Sequence, residues 1–147
     1  MMLLLFSLMV GTEPILHFFK GSAEQSEVSP PAAAFKYKNY GLMASTHGEF
    51  FLSLEGYLVT RDNRWSLYVQ GETDIFYEDD VVLVLHTKSE WGSLIEGFTN
   101  IYRIVNRADG EVTFKMGSSW LSEKAVDEGY FYFGVEKDQL WRTPLVP

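Results

Sequence analysis

Cysteine is absent from the 147 residues, which removes disulfides, thiolate metal sites and a cysteine nucleophile from the available chemistry. Positive charge is scarce: 12 Lys and Arg stand against 20 Asp and Glu, a formal net charge of −8. With no Lys/Arg cluster to offset that balance, a phosphate backbone would be repelled and nucleic acid is not an expected partner. Histidine occurs three times, as His17, His47 and His86, none at the i, i+2 or i, i+4 spacing from another that would suggest metal ligation. Glycines are dispersed singly at turns, so no phosphate loop, dinucleotide fingerprint, nucleophile elbow or calcium loop can be written onto the chain. Glu78-Asp79-Asp80 lacks the alternating oxygen ligands of a calcium loop and reads as a solvated turn. The expectation is no catalytic residue, no metal, no cofactor and no enzymatic activity.

Apolar and aromatic residues are plentiful. The chain is 46% hydrophobic and 16% aromatic, enough to bury a core and far from a disordered composition, and its length suits one domain. Residues 2–10 are an apolar run broken only by Ser7, and a second apolar patch follows at residues 15–19. Glu13 and Pro14 sit between them, at a cost to membrane insertion. The first run has the length of a signal-peptide core, and Gly21-Ser22-Ala23 supplies the small residues of a cleavage site. Read as a single span, the two runs together would make an anchor. Residues 1–23 are therefore expected to be a signal peptide or membrane anchor, with a buried N-terminal helix as the bland alternative. Residues 24–34, with two prolines and three alanines, have linker composition. The folded domain is expected over residues 35–147.

Within that domain, short aromatic and β-branched segments alternate with turn residues, the pattern of sequential antiparallel hairpins. Strands are expected over residues 35–45, 49–60, 65–69, 75–77, 81–85, 99–107, 111–116, 130–135 and 140–146. Asp109-Gly110 marks the clearest hairpin. Residues 118–127 form the single helix candidate, capped by Ser119 and closed by Gly129. The fold class expected is all-β with one short helix, an antiparallel meander closed into a small lipocalin-like barrel or a two-sheet sandwich.

Two features carry functional content. Residues 81–85 are apolar on both strand faces, and Phe51, Tyr57 and Val59 oppose the Phe50/Leu52 set, so a further surface has to be covered by the chain itself or by a partner. Val82, Val84, Leu140 and Trp141 are the expected partner-facing residues. The aromatic load, including Trp65, Trp91, Trp120 and Trp141, fits core packing or a lumen that holds an apolar molecule. Trp65, Tyr68, Phe76, Tyr102 and Trp120 are the candidate ligand-lining residues.

The N-terminal apolar segment, Leu52-x-Leu54-x-Gly56, Trp65-x-Leu67-x-x-x-Gly71 and Val135-Glu136-Lys137-Asp138 before Pro144 together resemble the FidL-like and ToxS/VtrC-like proteins of enteric bacteria. The resemblance implies one inner-membrane pass and a periplasmic barrel-like domain that pairs with a membrane-bound transcription regulator. In the best-known relatives the paired domains sense bile salts. This chain departs from FidL-like members in lacking cysteine. The resulting expectation is a non-enzymatic, periplasmic or otherwise extracytoplasmic β-domain that pairs as a heterodimer and senses an amphipathic small molecule. The alternatives are a secreted lipocalin-like carrier and a hydrolase using paired carboxylates.

Overall fold

A computed structural model describes residues 16–36, 41–42, 48–88, 98–119, 121–136 and 139–147. In chain order its elements are β1 (Leu16–Lys20), β2 (Glu24–Gln25), a 3-10 helix (Ala32–Lys36), β3 (Phe50–Leu52), β4 (Tyr57–Thr60), β5 (Ser66–Tyr68) and β6 (Glu72–Glu78). They continue with β7 (Val82–Lys88), β8 (Asn100–Asn106), β9 (Val112–Ser118), β10 (Glu123–Asp127), β11 (Tyr130–Glu136) and β12 (Gln139–Pro144). The strands form three antiparallel sheets: a five-stranded one in the order β1-β9-β8-β7-β6, a four-stranded one in the order β10-β11-β12-β2, and a three-stranded one, β3-β4-β5. The all-β expectation holds, and among the described residues the sheets do not close into a barrel.

Local chemistry builds the large meander. At the β6–β7 turn the Asp79 carboxylate accepts the backbone N–H groups of Val81 and Val82, both at 2.8 Å. Burial alone would raise the Asp79 pKa, but those two N–H donors, Tyr77 and Arg107 outweigh it and hold the carboxyl below its ordinary value. At the β8–β9 turn Asn106 Oδ1 accepts from Ala108 N (2.8 Å) and Asp109 Oδ1 from Glu111 N (2.9 Å), while Gly110 takes φ +77°. These are the side-chain turns for which Asn, Asp and Gly are suited.

The apolar run of β7 is buried on both faces by the chain itself. Val82 and Val84 join Phe76, Tyr102, Ile104, Phe114 and Met116 on one face of the five-stranded sheet, against Phe131 and Phe133 of the four-stranded sheet. Leu83 and Leu85 join Ile75 and Val105 on the opposite face, against Phe50, Leu58, Trp65 and Val69 from the three-stranded sheet and its flanks. The large sheet is thus a middle layer with a smaller sheet on each side. A bulge between Ile75 and Tyr77 shifts the register of β6. It turns Phe76, and partly Tyr77, toward the first core while Ile75 serves the second.

Several expectations are corrected. The described residues of the 118–127 segment are not helical: β9 runs to Ser118 and β10 pairs along its whole length with β11, while Trp120 lies outside the described residues. Glu128 (φ +47°) and Gly129 (φ +82°) make the connection a turn with two positive-φ residues, which twists a hairpin correctly. Pairing with β11 overrides the helix propensity of Glu, Lys and Ala, and the only helical element of this length described is the 3-10 turn at Ala32–Lys36. Residues 49–60 are not one strand but the β3–β4 hairpin, closed by Gly56 at φ +93° and by Tyr57 N–H donating to Ser53 Oγ at 3.0 Å. Of the 35–45 segment, residues 35–36 belong to the 3-10 helix, and residues 37–40 and 43–47 lie outside the described residues.

The sheets also take in part of the N-terminal segment. Leu16–Lys20, inside the expected leader or anchor, is an edge strand paired to β9, and Glu24–Gln25, inside the expected linker, pairs with β12. Ala34 and Phe35 pack on Ala125, Tyr132 and Leu140. The sheet therefore begins upstream of Phe35; residues 1–15 lie outside the described residues. Among the described residues no helix is long and apolar enough to cross a membrane.

Candidate functional site

The candidate ligand-lining residues are distributed over different surfaces. Trp65 is a core side chain of the small-sheet side, its Nε1 donating to the Arg107 carbonyl at 2.9 Å and its ring 5.7 Å from that of Phe50. Phe76 and Tyr102 lie in the opposite core, where both meet the Phe131 ring, at 5.8 and 5.9 Å. Tyr68 faces outward, and Trp120 lies outside the described residues. Among those described, only Phe76 and Tyr102 share one core, packed around Phe131.

The expected partner-facing residues are covered as well. Val82 and Val84 are buried under the four-stranded sheet, Leu140 lies under the 3-10 helix, and Trp141 is half-buried with its ring 6.2 Å from Phe18. The physical reason is that the large sheet sits between two others, so its two-sided apolarity is satisfied internally.

What remains open is the outer face of the three-stranded sheet. The register sets Phe51 beside Val59, and Tyr57 beside Tyr68. Phe51, Tyr57 and Tyr68 are 42%, 41% and 46% exposed, and Leu54 at the hairpin tip is fully exposed. The Tyr57 and Tyr68 rings meet at 5.0 Å. Three aromatic side chains on one small exposed face form a cluster that a lone surface apolar residue would not.

This small sheet is tied electrostatically to the large one. Arg107, at the end of β8, donates to Glu78 and, at 3.1 Å, to Glu49 ahead of β3; Arg64 also reaches Glu49, at 3.1 Å, and Asp62, at 2.8 Å. Burial works against the Arg107 charge, but Glu78 and Glu49 outweigh it and raise the pKa above its ordinary value. Arg107 bridges the two carboxylates and Glu49 is shared with Arg64, an arrangement suited to holding sheets together.

The large sheet carries two polar groups that its apolar surroundings make conspicuous. On the four-stranded side, half-buried His86 stacks on Tyr102 at 4.5 Å with an interplanar angle of 3°, and its Nε2 meets Asn100 Oδ1 at 2.7 Å. Lys124 Nζ donates to the Tyr102 hydroxyl at 3.2 Å. Burial, partly offset by Asn100, lowers the His86 pKa; Lys124 and Lys88 push the same way and Asp74 opposes them. Desolvation raises the Tyr102 pKa, so this hydroxyl is not poised as a base. The unfolded chain binds the His86 proton more readily than the folded one, so stability is present above the ordinary value of 6.5 and is lost as pH falls from there toward the lowered folded value. We expect the urea midpoint to fall over that window, and His86→Gln to flatten this part of the profile; an unchanged profile in the variant would refute the assignment.

On the small-sheet side lies Arg103, 2% exposed in the middle of β8. Its Nη1 donates to Thr87 Oγ1 at 3.1 Å, and Thr87 Oγ1 lies 2.8 Å from Thr73 Oγ1. No carboxylate among the described residues comes within ion-pair distance of it, and desolvation pushes its pKa down to about 10, so it stays charged at neutral pH. Taking such a cation out of water costs on the order of several kcal/mol. A signal for it exists in the sequence: in Ile101-Tyr102-Arg103-Ile104-Val105 the arginine shares the inward register of Ile101 and Val105, where an ordinary strand would place another apolar residue.

No protein-family model, no curated protein and no solved structure matches this chain. The class defined by its fold is an all-β protein of three stacked antiparallel sheets with an exposed aromatic face and a buried arginine.

Proposed function

We propose that the protein is a non-enzymatic extracytoplasmic β-domain that pairs with a membrane-bound regulatory protein and senses an amphipathic small molecule such as a bile salt. The observation that carries the pairing is the outer face of β3-β4-β5, where Phe51, Tyr57 and Tyr68 stand exposed beside Val59. Aromatic side chains are the residues that dominate binding energy when desolvated at the centre of an interface. Docking on this face would also cover the small sheet on its second side. The resemblance to FidL-like and ToxS/VtrC-like proteins supplies the kind of partner, a single-pass regulator, and the periplasmic setting.

The test is co-expression of the full chain with a single-pass regulator encoded beside it. A stable heterodimer is expected, and a Phe51→Ser/Tyr68→Ser double variant should weaken it about tenfold or more. Because these side chains are exposed, the variant's own stability should change by no more than about 1 kcal/mol. A chain that stays monomeric beside such a regulator and binds no hydrophobic dye would sink the proposal, as would a heterodimer indifferent to both substitutions.

A further inference from the structure

We propose that Arg103, backed by Thr87 and Thr73, is a receptor for the oxyanion head of a small molecule with an apolar body. This deepens the small-molecule half of the function proposed above and is independent of the docking face.

The hydrogen-bond directions leave the guanidinium incompletely used. Thr73 Oγ1 donates to the Gly71 carbonyl at 3.1 Å, so in its 2.8 Å contact with Thr87 it is the acceptor and Thr87 the donor. Thr87 Oγ1 then accepts from Arg103 Nη1. The chain Arg103, Thr87, Thr73, Gly71 carries dipoles but no negative charge. A guanidinium has five N–H donors in a fork that matches an oxyanion in bidentate fashion. Among the described residues, one of these five finds an acceptor. Buried ions elsewhere are retained when paired, and here no pairing group is found among the described residues.

Lys115 is the cross-strand partner of Arg103 on the same face, but the two heads part: the guanidinium lies toward Thr87 of β7 and the ammonium toward Phe19 of β1. The Lys115 ammonium stands 5.1 Å over the Phe19 ring, and Phe19 meets Phe98 at 5.9 Å and His17 at 4.4 Å. His17 is in register with Gly117, two residues along β9 from Lys115 and on the same face. A Cβ at Gly117 would lie 2.8 Å from Phe98 and 2.9 Å from Phe19, so glycine there lets the aromatic rings lie directly on the sheet. A buried guanidinium with donors to spare, flanked on its own face by buried Ile101, Val105 and Leu85, suits a carboxylate, sulfate or phosphate monoester attached to a hydrocarbon. The chain's net charge of −8 would repel such an anion at long range, so affinity has to come from this local site.

The test uses the full chain, with octanoate as the probe, octyl sulfate as a second oxyanion, octanol as the uncharged control and inorganic phosphate as the control without a tail. Octanoate and octyl sulfate are expected to raise the melting temperature saturably, and octanol and phosphate to bind at least about tenfold more weakly. Arg103→Met should fold, melt no lower than wild type without ligand, and lose about tenfold or more in octanoate affinity, with Arg103→Lys intermediate. Octanoate affinity within twofold in Arg103→Met, or octanol binding as tightly as octanoate, would overturn the proposal. If Arg103→Met does not fold, the wild-type Arg103 Nε–H resonance decides: a saturable change on adding octanoate supports the site, and no change at millimolar octanoate refutes it. Failure of this site leaves the heterodimer test of Phe51 and Tyr68 untouched, and loss of pairing leaves octanoate binding to the isolated chain untouched.

Discussion

Phe131→Ala is expected to destabilise the protein by about 3–5 kcal/mol, the range for truncating a fully buried aromatic side chain. Phe131 is completely buried on the inner face of β11. Its ring meets Phe133 at 5.2 Å, Phe76 at 5.8 Å and Tyr102 at 5.9 Å. Those partners belong to both the four-stranded and the five-stranded sheet, so the side chain is the contact through which the two layers hold each other. Its neighbours are rigid strand residues that cannot collapse into the space left behind, which places the cost at the upper part of the range. Equilibrium urea unfolding would read the change, with a melting temperature lower by roughly 10 °C for a domain of this size. A loss below about 1 kcal/mol would mean that the two sheets do not share this core.

Gly110→Ala should cost about 3 kcal/mol, from two separate terms. The backbone at Gly110 has φ +77°, a left-handed conformation that costs a residue with a Cβ about 1–2 kcal/mol. The added Cβ would also lie 2.7 Å from the Trp65 ring, and overpacking of that kind costs typically about 1–3 kcal/mol. Trp65 cannot simply swing away, because its Nε1 is held by the Arg107 carbonyl at 2.9 Å and its ring packs on Phe50. Gly129→Ala separates the terms: φ is +82°, but nothing lies within 4 Å of the added Cβ, so only the backbone term of about 1–2 kcal/mol remains. Urea unfolding followed by tryptophan fluorescence measures both variants. Equal effects at the two glycines would show that Gly110 does not press on Trp65.

The Gly110 contact also explains how the small sheet is seated. Trp65 precedes β5, and it docks on the β8–β9 turn through Gly110 and Arg107, while Arg107 in turn holds Glu49 ahead of β3. One turn of the large sheet therefore anchors both ends of the small one, and that leaves the opposite face, with Phe51, Tyr57 and Tyr68, turned to the outside.

The Phe51/Tyr57/Val59 face is legible in the amino-acid sequence, because alternation has a strict period of two and an aromatic set opposing a core set announces a second apolar face. Arg103 is legible only as an oddity within an apolar strand. That no carboxylate among the described residues reaches it depends on what β7, β9 and β6 bring beside it, and the residues that matter, Thr87, Lys115 and Thr73, are 12 to 30 positions away in the chain. Of the residues grouped as one lining, Trp65, Tyr68 and the pair Phe76 and Tyr102 lie on three different surfaces for the same reason, and Trp120 lies outside the described residues. Strand periodicity assigns each residue to a face but does not say which sheet covers that face.

By itself the sequence determined the all-β class, the turns at residues 61–63, 78–80 and 108–110, and the strands that became β7, β8 and β9. Those follow from local terms: turn residues that tolerate positive φ or cap a backbone N–H, and side chains that suit a pleated surface. The tertiary structure alone decided that residues 123–127 are a strand, that Leu16–Lys20 and Glu24–Gln25 belong to sheets, and that the two-sided β7 is covered by the chain itself. Each of these depends on pairing or burial between segments far apart in sequence, whose free energy exceeds the local propensities that short-range reading measures.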